Sequence, residues 1–348
     1  NAFDAAVAAQ LAAFVSEPLL TGVAGAGLAT IRKANGEVFQ LDFFSTMPGL
    51  KYNSEVVHLR EMSKVEINFG PTTQQFDVGI GSVATPTMMI GISYLIENFC
   101  SFGKAALIKP ALRIIKNGAT VTSGFERVLE LLWPIISQSK EMVQIFSINN
   151  RRLISGDKFH FWQIRKTLER YSSQTGQFWT SELTNKLNSI TNNSALLHSV
   201  DIDNYEPIIH KLQGHAFSNG NVFIPGAPSV GGAIIRNSII ELINNKYQTD
   251  NQVIKLLSAI KKGQSHSKLE APSWYDETAG YTTHLSTIDK AGNSCGITSS
   301  LGETAGKMIP DTGIILNNFL GEKDVAPTFA TNTPGRRLLT MCAPIIYV

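Results

Sequence analysis

The sequence predicts a mixed chain of helix and sheet, its strands drawn from both ends and its helices from the middle. Two observations carry this. Apolar residues follow the helical period of about 3.6 from Pro86 to Lys262, then change to the strand period of 2 near Thr282. Turn signals, Asn35-Gly36 and Lys290-Ala-Gly-Asn293, sit between β-favouring runs on either side of that helical block. A sheet assembled from distant parts and covered by helices satisfies both.

In chain order, Asn1 can cap a helix whose first turn holds Asp4, and Ala2 to Phe14 are good helix formers. Glu17-Pro18 ends it. The small residues of Thr21 to Gly27 lead into a hairpin over 27–44. Helices are expected over Met88–Phe99, Lys104–Asn117 with Gly118 as the stop, Phe125–Phe146, Phe161–Tyr171, Thr180–Asn193, Ala233–Asn245 and Asn251–Lys262. Pro225 to Gly232 is a turn-rich loop, and Gln264 to Glu277 is polar and expected at the surface. Thr282–Asp289 and Ser294–Ser300 are partner strands, and Ile309–Asn318 is expected to be another strand.

Composition narrows the function. The 348 residues carry 30 Lys and Arg against 28 Asp and Glu, a formal net charge of +2. That balance argues against an electrostatic partner such as nucleic acid or an anionic membrane, which would need a basic face. A chain this long buries roughly 75% of its unfolded surface and needs no covalent staples. Its 3 cysteines, at 100, 295 and 342, give neither a disulfide framework nor a paired-cysteine zinc site. Val78 to Ile96 carries no charge, but its glycines, serines, threonines and Pro86 fit a loop entering a buried helix better than a membrane span. The given chain has no signal-peptide pattern, and the compartment, cytoplasmic or periplasmic, stays open.

No phosphate loop, zinc helix or Gly-x-Ser-x-Gly elbow is present. The glycines of Thr21–Gly27 and Gly231-Gly232 read as tight turns and close backbone packing. The 7 histidines are scattered without metal-ligand spacing. Thr282-Thr-His284 at the head of a strand is, by itself, ordinary strand composition.

The ordered set of segments is far more specific. Asn1 to Ala9, Ser16-Glu-Pro18, Thr21 to Gly27, Pro110 to Gly118, Gly156-Asp157, Lys166 to Glu169, Pro228 to Gly232, Thr282-Thr-His284, Asp289 to Asn293, Gly313 to Asn318 and Gly335-Arg-Arg-Leu338 occur in the order of a known family. The chain resembles the γ-glutamyltransferase (glutathione hydrolase) family of N-terminal-nucleophile hydrolases along nearly its whole length. The resemblance implies a four-layer αββα sandwich, here incomplete at both ends. The family chain begins before Asn1 and continues beyond the position of Val348 into a Gly-Gly whose amides form an oxyanion hole.

The resemblance also implies self-cleavage between Tyr281 and Thr282, dividing a large-subunit-like region, 1–281, from the start of a small-subunit-like region, 282–348. Thr282 is the implied nucleophile, and Thr283 and Ser300 occupy positions that support it. Threonine suits the chemistry. Its hydroxyl is a weak nucleophile at neutral pH, and the α-amine freed by cleavage can serve as its base. No metal or organic cofactor is implied. The implied partners are a small-molecule amide, with water or an amine as acceptor.

The departures concern substrate. Phe44 stands where the family has the arginine for the donor's α-carboxylate. Gly302 replaces an asparagine, Phe319 a glutamine and Glu322 an aspartate, and Leu339-Thr340 aligns with a serine pair. A buried carboxylate without its cation costs several kcal/mol. These substituted positions argue for a donor other than γ-glutamyl, unless Arg32 or Lys51 replaces the missing cation. The expected activity is that of an autoprocessing amide hydrolase or acyltransferase, its donor altered. A cephalosporin-acylase-like amidase and a non-catalytic remnant are the alternatives.

Overall fold

The computed structural model describes residues 1–52, 61–70, 73–191, 194–244, 251–267, 282–322 and 333–348. Tyr281, and most of the polar run before it, lie outside these.

The first helix, α1 (Ala2–Ser16), starts on a capping box: Asp4 N donates to Asn1 Oδ1 at 2.9 Å, and the Asn1 amine donates back to Asp4 Oδ2 at 2.8 Å. Its apolar residues go round the whole helix, and Phe3, Val7, Leu11, Phe14 and Val15 are all buried, so it lies in the core rather than at the surface. The expected hairpin follows as β1 (Ala26–Arg32) and β2 (Val38–Phe43). Next comes a second hairpin, β3 (Ser63–Asn68) and β4 (Thr73–Val78), which the sequence analysis did not anticipate. Each strand buries just two apolar residues in alternation, Val65 and Ile67 on β3 and Phe76 and Val78 on β4, so the period-2 signal is short.

The helical block is α2 (Met88–Asn98), α3 (Lys104–Leu107), α4 (Lys109–Asn117), α5 (Ser123–Ile136), α6 (Lys140–Phe146), α7 (Arg165–Ser173), α8 (Ser181–Thr191) and α9 (Ser199–Asp203). Short strand pairs interrupt it: β5 (Ala119–Thr120), β6 (Ser147–Ile148), β7 (Arg151–Arg152) and β8 (Lys158–Phe159). The helix expected over Phe125–Phe146 is broken. Pro134 lies in its last turn, and Ser139 caps a new helix by accepting from Met142 N. Gly118 stops α4 at φ +81°, as the sequence predicts. The uncharged run from Val78 is a strand end, a 3₁₀ turn and then α2, and among the described residues no helix is long and apolar enough to cross a membrane.

The chain then forms β9 (Ile208–Lys211), β10 (His215–Phe217), β11 (Gly220–Phe223), α10 (Val230–Asn244) and α11 (Gln252–Ser267). It ends in β12 (Thr283–Ile288), β13 (Ser294–Ser300), β14 (Met308–Ile309), β15 (Ile314–Ile315) and β16 (Ile346–Tyr347). The single strand expected over Ile309–Asn318 is instead folded into a small hairpin, running from the end of β14 through a turn into β15. Asp311 and Gly313, at φ +59° and +72°, turn the chain back after Ile309.

The main sheet has the order β12-β13-β1-β2-β9, and every neighbouring pair is antiparallel. It joins the hairpin at one end of the sequence to the hairpin near the other, as expected. α1 lies against β12 and β13 on one face, where Ala29, Ile31, Leu41, Phe43, Cys295 and Ile297 feed the large core. On the other face Ala26 and Leu28 meet Phe44, Phe319, Leu338 and Cys342 in a separate buried cluster. The run after Gly335 crosses this second face: Leu338 N donates to Ser45 O at 2.9 Å, and the Thr30 hydroxyl donates to Pro344 O.

Candidate active site

Thr282 is exposed and directly precedes β12. The last pair of the β12–β13 ladder is Thr283 with Ser299. One further step sets Thr282 across from Ser300, because antiparallel strands joined by a turn bring their far ends together. Strand alternation puts Thr282 and Ser300 on one face, with His284 and Thr298, and puts Thr283 and Ser299 on the face toward α1.

The glycine-rich segment earns its composition here. A Cβ on Gly25 would collide with Ser300 O, and one on Gly27 with Thr298 O and the Phe43 ring. β1 can therefore lie close along β13 only if these positions lack side chains. Gly231 and Gly232 press likewise on Met341 O and Pro225 O.

Ser300 is buried, and its hydroxyl accepts from Gly302 N at 3.0 Å. Gly302 has φ +66°, and a Cβ there would run into Glu322 Oε1 and Asn318 Oδ1. Glu303 N donates to Asn318 Oδ1 at 2.8 Å and to Glu322 Oε1 at 3.3 Å. Ser300, Gly302, Asn318 and Glu322 are thus one cluster at the end of β13 across from Thr282. Asn317 works as a clasp, donating to Ala24 O at 2.8 Å and accepting from Ala84 N at 2.9 Å. The buried Asn318 Nδ2 has no hydrogen-bond partner among the described residues.

Phe44 and Phe319 touch, with ring centroids 5.2 Å apart and planes inclined at 40°. Each is 1% exposed, so they fill the space between β1 and Leu338 as core. The Phe44 backbone is held at both ends: its N–H donates to Asp42 Oδ1 at 2.8 Å, and its carbonyl accepts from the Tyr205 hydroxyl at 2.8 Å. Thr340 is joined instead to the loop before α10. Its hydroxyl accepts from Cys342 N at 3.1 Å, and its carbonyl accepts from Val230 N at 2.8 Å.

The two suggested substitute cations are placed differently, and Lys51 alone comes near the Phe44 cluster, through Tyr52, which packs against it. Arg32 is at the other end of β1, bonded to Gly292 O, and the Lys51 ammonium sits 5.6 Å above the Tyr52 ring. Among the described residues, a cation bonded within this region is Arg337. It donates to Asp42 Oδ2 at 3.0 Å and to Glu206 O at 2.6 Å, and it stacks 4.2 Å over the Tyr205 ring. Burial pushes the Asp42 carboxyl above its ordinary range, and the Arg337 charge opposes that rise. Sequence reasoning noted Arg337 only as part of a motif, because its partner is 295 residues away in the chain.

His284 bonds two hydroxyls, Thr298 through Nδ1 at 2.8 Å and Ser286 through Nε2 at 2.9 Å. Partial burial lowers its pKa from 6.5. The unfolded chain therefore takes up this proton first on acidification. The contribution is fully present above 6.5 and is lost as pH falls toward the depressed folded-state value. The melting temperature is expected to fall more steeply between about pH 7.5 and about pH 5.5 in the wild type than in His284→Asn. Equal slopes would show that His284 does not carry the effect.

Solved structures define the class. A cephalosporin acylase from Bacillus halodurans matches with a TM-score of 0.80 over 100% of this chain and 70% of that one, at 17% identity. The γ-glutamyltranspeptidase of Helicobacter pylori matches with a TM-score of 0.63 over 76% of this chain and 75% of that one, at 19% identity. The fold is that of the N-terminal-nucleophile hydrolases, as the sequence resemblance implied. The family model described as gamma-glutamyltranspeptidase matches residues 1–253 and 236–348, and the chain belongs to that family. Among characterised relatives, the acylase ACY 1 proenzyme of Pseudomonas sp. (strain V22) is 24% identical over 100% of this chain and 70% of its own length. Glutathione hydrolase proenzyme 1 of Schizosaccharomyces pombe (strain 972 / ATCC 24843) is 23% identical over 100% of this chain and 63% of its own.

Proposed function

We propose that this chain is the nucleophile-bearing part of an autoprocessing amide hydrolase or acyltransferase. The observation that carries the reading is the exposed Thr282 at the head of β12, across the ladder from Ser300. In the precursor the Thr282 hydroxyl attacks the Tyr281 carbonyl. The Tyr281 carbonyl passes from the Thr282 nitrogen to its oxygen, which frees the amine and leaves an ester, and water hydrolyses that ester to the Tyr281 carboxylate and the free Thr282 hydroxyl. That amine then serves as base while the hydroxyl attacks the substrate amide, and water or an amine resolves the acyl-enzyme. Ser300 orients the nucleophile, and Thr283 anchors it from behind. The cut divides residues 1–281 from the piece beginning at Thr282, yet the pieces share one sheet through the β1–β13 ladder from Ala26–Ser300 to Arg32–Ser294.

The donor is proposed to lack the α-amino-acid head of γ-glutamyl. Phe44 occupies the place where the resemblance puts a cation and Phe319 that of a glutamine, and the neighbouring Arg337 is engaged by Asp42. Polar heads are costly to bury unpaired. The cluster of Gly302, Asn318 and Glu322 remains on the polar side of the site, with Thr340 farther along the covering segment.

A denaturing gel of the natural gene product, with N-terminal sequencing, tests the enzyme reading. Two bands, one starting at Thr282, support it, and a single band supports a non-catalytic remnant. On the self-cleaved enzyme, kcat/KM is then compared for glutaryl and γ-glutamyl anilides. Glutaryl is expected to be preferred, and a preference for γ-glutamyl of about tenfold or more would sink the altered-donor reading.

A further inference from the structure

Glu17 closes α1, the helix that packs behind the nucleophile strand, and it is the wrong charge for that position. A helix C-terminus carries partial negative charge and favours cations. In the sequence Glu17-Pro18 reads as a helix stop and Ser16-Glu-Pro18 as one of the ordered family segments, neither of which gives the carboxylate a role. In the structure the Glu17 Oε2 accepts the Thr283 hydroxyl at 3.0 Å, across 266 positions of sequence. Glu17 is itself fixed: its N–H donates to Ala13 O at 2.8 Å, and its carbonyl accepts from Leu20 N at 2.9 Å and Thr21 N at 3.2 Å.

A second grip holds the residue paired with Thr283. The Ser299 hydroxyl lies 2.9 Å from Thr21 Oγ1 and donates to Gln10 Oε1 at 3.2 Å, while Gln10 Nε2 donates to Thr21 Oγ1 at 3.0 Å. All three residues of this ring are 0% exposed. The cross-strand pair directly behind Thr282 and Ser300 is therefore tied, on both strands, to one rigid helix and its following turn.

We propose that Glu17 is a positioning residue for the nucleophile. By holding the Thr283 hydroxyl it fixes the first residue of β12, and so the place of the Thr282 hydroxyl relative to Ser300 and to the carbonyl under attack. This rests on Thr282 being the nucleophile. The bond forms on the face opposite the reacting groups, so Glu17 touches no substrate and acts only through Thr283.

The test uses the natural gene product and follows self-cleavage of fresh precursor and anilide turnover of the mature enzyme. In Glu17→Ala both the cleavage rate constant and kcat are expected to fall roughly tenfold to hundredfold, the scale of a small misplacement of reacting groups, with KM nearly unchanged. Glu17→Gln keeps a carbonyl acceptor and should restore both to within about threefold of wild type. Thr283→Val should behave as Glu17→Ala does, and the double variant should be no slower than either single one, since both remove the same bond. A merely structural role lowers thermal stability without this split between kcat and KM and without rescue by glutamine. Wild-type rates in Glu17→Ala, multiplying defects in the double variant, or failure of glutamine to rescue overturn the proposal. If Glu17→Ala does not fold, Thr283→Val and Glu17→Gln carry the same comparison. A Thr282→Ala precursor run in parallel separates the two ideas. If it still splits at the same bond, the nucleophile reading fails; if it stays whole while Glu17→Ala cleaves normally, only the Glu17 inference fails.

Discussion

Thr282→Ala leaves the precursor as one uncut chain, with no new N-terminus at position 282 and no acyl-enzyme detectable by mass spectrometry. This is the largest effect expected of any substitution, because a single atom does both jobs. In the proposed mechanism the Thr282 hydroxyl oxygen is the attacking atom in self-cleavage and again in substrate acylation. Thr282→Ser keeps that oxygen and retains cleavage, more slowly, because the lost methyl frees the side-chain rotamer that β-branching restricts. Ser300→Ala is expected to fall between the two, since its proposed part is to orient the nucleophile and not to bond to the acyl group. Cleavage at the same bond in Thr282→Ala would remove Thr282 as the self-cleaving group.

Arg337→Met is expected to destabilise the fold by about 3–5 kcal/mol, because it strands the Asp42 carboxylate without its cation. Asp42 is almost wholly buried beneath Arg337, with side-chain exposures of 3% and 17%. The pair also holds the backbone of Phe44, so the aromatic cluster should loosen with it. The sign with pH follows from the Asp42 carboxyl, which burial raises even in the presence of the arginine. Without the arginine it rises further. The folded variant then binds a proton that the unfolded chain does not, so its stability increases as pH falls from neutrality through that raised value toward the ordinary range. Denaturant unfolding near pH 8 and near pH 5 measures both quantities. Arg337→Met with Asp42→Asn removes the charge and should recover part of the loss. A single variant that unfolds like the wild type at both pH values would show that the pair contributes little.

Much of the architecture was legible from local patterns. The Asn1–Asp4 cap, the Asn35-Gly36 turn and the change of period near Thr282 each act within a few residues of sequence. The structure holds the corresponding helix and both hairpins at nearly the expected bounds. The misses have local causes too. The helix expected over Phe125–Phe146 breaks at Ser139, which satisfies a new helix start while Pro134 weakens the old one. Ile309–Asn318 reads as one apolar run because the period cannot show that Asp311 and Gly313 adopt positive φ.

The active site was legible in a different way. Thr282, Thr283 and Ser300 stood out only through the ordered resemblance, since threonine and serine in strands are otherwise unremarkable. The sequence by itself determined which glycines the close strand packing needs, and its resemblance to the family proposes which residues react and that Phe44 and Phe319 stand at donor-binding positions. Only the tertiary structure decided what those residues touch. Phe44 packs on Phe319 in a sealed cluster, Arg337 is taken by Asp42, and Glu17 reaches Thr283. Each of those contacts joins residues more than 200 positions apart. Hydrophobic periodicity and capping are set by neighbours along the chain. A charge or a ring chooses its partner only after folding has closed the long loops between them, and the free energy that fixes that choice comes from burial that no local window contains.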